Sequence, residues 1–327
     1  MEKSFIETVV EAGSSAFTCE VYPPRDEAER QRLLFALKAM REGPCRGISV
    51  TCSAKRAYIE TLETARLVRA ETGLSVLVHV PCGGLSKADF LDRVVKLTDA
   101  GFSDLLIVRG DPVERNQRFE VPAGTYQYAA QAIASLRLVD FPVRLAAACH
   151  PEGHGETEDV DVDFQHLVDK VSFGVDLLIG QMAYDASLLE RFVSRLRRAG
   201  VSVPFMAGIL PLASFKAANG VRNLGRISVP ESLAHDLESA SDARSVGLGH
   251  ALELSRGLKS VFGIVGVHLF RTMDPGSLRA FGQVFERLDS WPRVLARGFL
   301  LTGLLRYGSS IRWEYLIGRI WGAGRCV

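Results

Sequence analysis

The chain has 327 residues, of which 47% are hydrophobic and 24% are charged, so it is long enough for one large globular domain and is not expected to be disordered. Its 39 basic and 38 acidic side chains nearly cancel, which excludes the basic surplus that nucleic-acid binding requires. The composition therefore favours a small-molecule partner.

Short apolar runs recur along the chain, and segments with apolar residues at helical spacing lie between them. The runs cover residues 16–22, 47–52, 74–80, 104–109, 143–149, 175–180, 203–208 and 263–270. The helical segments include residues 26–43, 88–101 and 185–200, and the last two end in glycine, as helices often do. Eight strand–helix units predict an α/β protein with a (β/α)8 TIM barrel over residues 1–290.

A doubly wound open sheet is the structural alternative, since it uses the same alternation. Its G-x-G-x-x-G fingerprint does not follow the first run, which ends in YPPR. No linker rich in Pro, Gly or Ser divides the chain into halves. These two features favour the closed barrel.

Polar residues occur where the predicted strands end, and active sites of TIM barrels lie at that end. In chain order these residues are Glu20, Thr51, His79, Arg109, Asp111, His150, Glu152, His154 and Gln181. They predict a site for a large ligand with several hydrogen-bonding edges. A serine nucleophile is not expected, because the chain has no G-x-S-x-G elbow.

Six motifs follow one another in a distinctive order along this predicted barrel. They are CEVYPPR (19–25), SVT (49–51), IVRGD (107–111), HPEGH (150–154), DKVSFGVDLLIGQ (169–181) and GILPLASFK (208–216). From about residue 15 to about residue 275, the chain resembles the methylenetetrahydrofolate reductase family. The resemblance implies an FAD-containing barrel in which NAD(P)H reduces the flavin. The reduced flavin then converts 5,10-methylenetetrahydrofolate to 5-methyltetrahydrofolate, or the reverse oxidation takes place.

The resemblance also implies which residues contact FAD. Arg109 and Lys170 would neutralise the pyrophosphate, Gly110 would let the backbone approach the ligand, and Asp163 would accept from a hydroxyl group. His150 stands where an aromatic residue usually packs beside the flavin. The complete implied set is Thr51, His79, Arg109, Gly110, Asp111, Tyr128, Ala129, Ala148, His150, His154, Asp163 and Lys170.

Four residues carry the implied chemistry and substrate binding. Glu20 matches the general acid that protonates the departing nitrogen of the folate ring. Asp111 would place a negative charge beside the flavin and the pterin. Gln181 would hydrogen-bond the pterin edge, and Phe215 would stack on the nicotinamide or the folate.

Some residues allow other interpretations, and some depart from the pattern of the family that the chain resembles. Glu20 could form a solvated ion pair with Arg25 or with another cation at the barrel mouth. His268 is expected to satisfy a hydrogen bond in the core. Cys52 stands where similar proteins have a tyrosine, and Asp274 lies in a region where they tend to have an arginine. These departures affect the predicted binding of the folate or nicotinamide and the choice of electron donor more than they affect FAD binding.

Residues 291–327 form a separate C-terminal extension with all three Trp of the chain and six Arg against one Glu. We expect two short helices that pack on the barrel or on a second subunit of a homo-oligomer. A membrane-surface role and a docking face for a partner protein are the alternatives. The apolar runs of this segment are too short to span a membrane.

Two functions from other classes remain open. Cys52, Cys82, Cys149 and His79 near strand ends suggest a zinc-dependent methyltransferase barrel. Strand alternation argues against it, because neighbouring side chains of a strand point to opposite faces. Cys19 and Cys149 adjoin inward-facing residues, so their thiols should point to the helices, and no metal is predicted. The other alternative is a non-catalytic folate- or flavin-binding subunit.

The predicted location is the cytoplasm. The first residues, MEKSFIETVVEAGSS, lack the pattern of a signal peptide, and no uncharged apolar run of 18 residues occurs. The six cysteines show no C-x-x-C pair, so reduced thiols are expected.

Overall fold

A computed structural model describes residues 3–52, 58–110, 122–271 and 275–286. Within these ranges parallel strands form a closed barrel in chain order, and the eighth strand pairs with the first. The predicted TIM barrel is confirmed, and the strand ends lie within two residues of the predicted runs. The strands are β1 (Ala16–Val21), β2 (Gly47–Val50), β3 (Ser75–Pro81), β4 (Asp104–Val108), β5 (Arg144–Cys149), β6 (Leu177–Met182), β7 (Phe205–Ile209) and β8 (Ile264–Leu269).

Helices surround the barrel, and most of those described begin at a side chain that accepts a hydrogen bond from the first turn. Asp26, Ser86, Asp185 and Ser214 are such N-caps. The helices are α1 (Phe5–Ala12), α2 (Glu27–Glu42), α3 (Tyr58–Thr72), α4 (Lys87–Asp99), α5 (Ala129–Leu138), α6 (Val160–Ser172), α7 (Ala186–Arg198), α8 (Phe215–Arg222), α9 (Glu231–Ser239), α10 (Ala243–Leu258) and α11 (Pro275–Glu286). No described helix is long and apolar enough to cross a membrane.

Helix α1 closes the bottom of the barrel, a role that the sequence analysis did not predict. Its buried Phe5 and Val9 pack in one cluster with side chains from the barrel interior, such as Leu77 and Leu106. The Asp104 carboxylate, at the start of β4, accepts from the backbone N–H groups of Phe5 and Ile6 at 3.0 and 3.3 Å. The opposite rim, at the C-terminal strand ends, is therefore where a ligand can enter.

Several sequence predictions fall outside the described residues. They concern Asp111, Asp274 and the C-terminal extension 291–327 with its boundary at residue 290. These stay predictions.

Candidate active site

Glu20 lies one residue before the end of β1, with its side chain almost wholly buried. Its Oε1 atom accepts a hydrogen bond of 2.9 Å from the Tyr22 hydroxyl, and the Arg271 Nε group donates to the same hydroxyl at 3.0 Å. Burial raises the pKa of Glu20 to about 7, while Tyr22 and Arg271 act in the opposite direction. A carboxyl group with this pKa can hold and release a proton at neutral pH.

Arg25 does not pair with Glu20, and the cation that acts on this buried carboxyl group is Arg271. Arg25 follows the turn after β1 and directs its guanidinium to Glu29, in the first turn of α2. The Arg25 backbone N–H, just before the N-cap Asp26, donates to the same Glu29 carboxylate, so Arg25 is held at the start of α2 and away from Glu20.

His79 on β3 faces Glu20 across the barrel. Its Nε2 atom lies 3.9 Å from Glu20 Oε2, and burial lowers the pKa of His79 to about 4. The imidazole is therefore neutral at pH 7, and the contact is not an ion pair. Both His79 Nε2 and Thr51 Oγ1 are buried without a hydrogen-bond partner among the described residues. Buried polar atoms of this kind are costly unless a ligand or water completes them.

His268 on β8 lies deeper in the barrel and has two partners. Its Nδ1 atom is 2.7 Å from Thr18 Oγ1, and its Nε2 atom is 3.2 Å from Ser49 Oγ. Burial lowers the pKa of His268 to about 3, so the ring is neutral and bridges β1, β2 and β8. The expectation that His268 satisfies a core hydrogen bond is confirmed.

A group of cationic and imidazole side chains lies at the ends of β4 and β5. The terminal nitrogens of Arg109 donate to both oxygens of Glu156 at 2.6 and 2.8 Å. Lys170, on α6, donates to the Ala148 carbonyl at 2.6 Å. The rings of His150 and His154 meet edge to face with centroids 4.7 Å apart.

Burial lowers the pKa values of His150, His154 and Lys170 in this group. Burial lowers the pKa of His150 to about 3, and the charges of His154, Lys170 and Arg109 contribute to the decrease. Burial and then Arg109 lower the pKa of His154, although Glu156 and Asp163 oppose the effect. Burial also lowers the pKa of Lys170. An added anion would favour the protonated form of each of these side chains, so this group suits an anionic ligand.

Gly110 follows Arg109 in a backbone conformation that only glycine adopts readily. Its φ angle is +89°, and a Cβ atom there would lie 3.0 Å from the Cβ atom of Pro81. The absence of a side chain leaves the backbone beside the cationic group open to close approach.

The remaining predicted site residues are spread around the same rim. Tyr128 is exposed and Ala129 begins α5, while Ala148 is half-buried near the end of β5. Asp163, in the first turn of α6, accepts from the backbone N–H of His154 at 3.0 Å. This bond holds the loop that carries His154 against the helix.

Gln181 and Phe215 lie at the ends of β6 and after β7. Gln181 sits where the β6–β7 register shifts, and bulges of this kind re-aim side chains near active sites. Its Oε1 atom accepts from the Met182 N–H at 2.9 Å. Phe215 is the half-buried first residue of α8, packed at the edge of an apolar cluster that includes Leu212 and Ala218.

Three residues of the site were not predicted from the sequence, namely Tyr22, Glu156 and Arg271. Tyr22 could have been found, because residues two apart on a strand face the same side and Tyr22 follows Glu20 at that spacing. Nothing local points to Arg271, whose partner Tyr22 is 249 positions away. Glu156 lies 47 positions from Arg109.

The cysteines give little support to a zinc site. Burial raises the pKa of the Cys82 and Cys149 thiols to about 12, which disfavours the thiolate that binds zinc. In the part of the chain that the structure describes, no three His, Cys, Asp or Glu side chains are grouped so that they could hold a metal ion.

The titration of Glu20 predicts a pH-dependent stability. Its pKa is about 7 in the folded state against a usual 4.5, so the folded state binds the proton more tightly and loses stability as pH rises between these values. Glu20→Gln should therefore be more stable than the parent above pH 7, by on the order of 3 kcal/mol, and the gain should vanish below pH 4.5.

Urea unfolding of both proteins across this pH range measures the difference. Glu29→Gln is the matched control. The Arg25 hydrogen bond lowers the pKa of Glu29 to about 2, so this variant should be less stable than the parent above pH 4.5. A gain from Glu20→Gln that does not change with pH would show that Glu20 does not titrate in this range.

Comparisons with known proteins agree on one family. Residues 5–280 match the family model described as methylenetetrahydrofolate reductase. "Methylenetetrahydrofolate reductase 2" of Saccharomyces cerevisiae is 25% identical over 291 residues, which cover 86% of this chain and 48% of the yeast protein. The chain thus spans about half the length of that relative. "5,10-methylenetetrahydrofolate reductase" of Salmonella typhimurium is 25% identical over 257 residues, covering 77% of this chain and 84% of the bacterial protein.

The fold is shared with solved structures, of which we describe one. It is an uncharacterized protein from Clostridium thermocellum, described as binding two copies of 5-methyl-5,6,7,8-tetrahydrofolic acid. The TM-score is 0.64 at 15% identity, with 86% of this chain and 96% of the other covered.

Proposed function

The chain belongs to the methylenetetrahydrofolate reductase family, and from this we propose that it reduces 5,10-methylenetetrahydrofolate to 5-methyltetrahydrofolate, or oxidises the product in reverse, with FAD as cofactor and NAD(P)H as electron donor. The observation that carries the proposal is Glu20, a buried carboxyl group with a pKa of about 7 at the ligand-accessible rim. The folate described in the Clostridium thermocellum protein supports a folate ligand.

The described residues fit FAD. Arg109 and Lys170 are cationic side chains that a pyrophosphate would contact, and His154 lies beside them. Gly110 leaves room for close backbone approach, and Thr51 Oγ1 is a buried hydroxyl that needs a partner. When bound, FAD supplies the hydride transfer between the nicotinamide and the folate. The other implied contacts, at His79, Asp111, Tyr128, Ala129, Ala148, His150 and Asp163, remain part of this proposal.

Glu20 supplies the proton. Opening the imidazolidine ring of the folate leaves a basic nitrogen, and protonation of that nitrogen lowers the barrier to ring opening. A carboxyl group with a pKa of about 7 is protonated in roughly half of the molecules at neutral pH. A covering folate would exclude water and favour the neutral acid further.

The folate and the nicotinamide would use the same rim. Gln181 offers both a donor and an acceptor to the pterin edge. Phe215 presents part of its ring at the start of α8, where it would stack on either ligand in turn. Asp111 would add a negative charge beside the pterin. One rim that serves both ligands predicts ping-pong kinetics.

Anaerobic stopped-flow spectroscopy on the purified full chain tests the proposal. We expect the protein to bind one FAD per chain, NADH or NADPH to bleach the flavin, and methylenetetrahydrofolate to restore its absorbance. A protein that ignores added FAD would contradict the cofactor. Flavin that an artificial quinone reoxidises but methylenetetrahydrofolate does not would contradict the folate. Tight binding of both ligands without turnover would favour a non-catalytic subunit.

The other proposals rest on the sequence. Residues 1–290 would form the reductase domain, and residues 291–327 would contact the barrel, a second copy of the chain or a partner protein. A cytoplasmic location also remains a proposal.

A further inference from the structure

A hydrogen-bonded chain runs from the surface to the buried Glu20 through Arg271 and Tyr22. We propose that Tyr22 and Arg271 are positioning residues that place the transferable proton of Glu20 on its Oε2 atom. The inference rests on the proposed function, in which Glu20 is the proton donor to the folate. Neither residue belongs to the set that the family resemblance implies.

The direction of each hydrogen bond follows from the chemistry of the donors. The Arg271 Nε–H group can only donate, so the Tyr22 oxygen accepts from it at 3.0 Å. A phenol carries a single proton, which then points to Glu20 Oε1 at 2.9 Å. Burial and the charge of Glu20 raise the pKa of Tyr22 well above its usual value, so the phenol keeps that proton. Glu20 Oε1 is therefore held as an acceptor.

The proton that Glu20 takes up must then reside on Oε2. This oxygen faces His79, whose Nε2 atom lies 3.9 Å away and has no hydrogen-bond partner among the described residues. Since the imidazole is neutral at pH 7, it does not expel the proton by charge repulsion. The transferable proton thus points into the barrel, between β1 and β3.

The same groups determine the pH range in which Glu20 is protonated. Tyr22 just after β1, His79 on β3 and Arg271 after β8 face the carboxyl group. Burial raises its pKa, whereas the Tyr22 hydrogen bond and the charge and backbone N–H of Arg271 lower it. A guanidinium that polarises the phenol strengthens its bond to the carboxylate, so part of the effect of Arg271 passes through Tyr22.

The backbone of Arg271 supports a fixed position for this side chain. Its φ angle is +56°, in the left-handed region that residues other than glycine seldom adopt. Such a conformation persists only where the surroundings hold it. The Arg271 guanidinium also lies over the Tyr22 ring, 5.9 Å from its centroid.

Infrared titration of the full chain without ligands tests the inference apart from turnover. The carbonyl band of protonated Glu20 is assigned by its loss in Glu20→Gln, and its midpoint is followed with pH. Tyr22→Phe should raise the midpoint by about one pH unit, because the carboxylate loses a charge-assisted hydrogen bond. Arg271→Met should raise it less, and the double variant should shift it by less than the sum.

The pH profile of flavin reoxidation by methylenetetrahydrofolate gives the second measurement. The basic limb should move upward by the same amount in each variant. Arg25→Met, at an exposed arginine, and Tyr58→Phe, which loses a hydrogen bond to the Arg93 carbonyl, are the matched controls and should leave the infrared midpoint unchanged.

An unchanged infrared midpoint in Tyr22→Phe would overturn the inference, even in an active enzyme. A shifted midpoint in a protein that does not reduce folate would uphold the placement of the proton and contradict the proposed function instead. If Tyr22→Phe does not fold, Arg271→Met decides, because Arg271 is exposed. An additive double variant would show that Arg271 acts on Glu20 without Tyr22.

Discussion

Glu20→Gln is expected to slow reoxidation of the reduced flavin by methylenetetrahydrofolate about 10²- to 10⁴-fold, the usual contribution of a general acid. Reduction of the flavin by NAD(P)H should stay close to the parental rate, because that step needs no proton from Glu20. Glutamine has nearly the shape of glutamic acid, and its amide oxygen still accepts from Tyr22. The variant therefore removes the transferable proton and little else.

Stopped-flow measurement of the two half-reactions separates these effects. Glu42→Gln is the control, since Glu42 is an exposed side chain at the end of α2. The parent should also lose the folate half-reaction as pH rises through about 7, the pKa of Glu20, whereas the residual rate of the variant should not follow this titration. Equal losses in both half-reactions would show that Glu20 supports FAD binding or the fold and is not the acid.

Lys170→Met is expected to weaken FAD binding about 10- to 100-fold, the effect of one charge-assisted hydrogen bond. The Lys170 ammonium is partly buried and donates to the Ala148 carbonyl at the end of β5. Burial lowers its pKa because the charge lacks full compensation. A pyrophosphate would supply that compensation, and methionine cannot interact with it.

Equilibrium titration with FAD, followed by flavin fluorescence, measures the dissociation constant. Lys96→Met is the matched control, because Lys96 pairs with Asp92 on the exposed face of α4. Glu156→Gln should act in the opposite direction, since it removes the carboxylate that holds the Arg109 guanidinium. Parental affinity in Lys170→Met would contradict the assignment of this lysine to the pyrophosphate, whatever the flavin content of the protein.

The barrel and much of its rim were predictable from the sequence. Strand alternation and helical spacing are local patterns, so the order of elements could be read without long-range information. Once a barrel is assumed, the C-terminal ends of all strands lie at one rim. Glu20, Thr51 and His79 could therefore be assigned to one site. The motif order added the family, which the comparisons confirm.

Some local sequence signals marked an element but did not show which part of the fold it contacts. Ser4 and Glu7 form a capping box that marks the start of α1. No local pattern indicates that this helix closes the barrel, because its anchor, Asp104, is about 100 positions away. In other cases closeness in sequence was misleading. Arg25 is near Glu20 in the sequence, but its side chain is held by Glu29 in the next helix.

Only the tertiary structure decided the chemical state of the site. The pKa of Glu20 depends on burial by neighbouring strands and on Arg271, which barrel closure between β8 and β1 brings to Tyr22. The pairing of Arg109 with Glu156 likewise joins two loops. Residue types and spacing determine which groups can react, whereas desolvation and contacts between distant segments determine which groups are charged. Desolvation and contacts between distant segments exist only after the chain has folded.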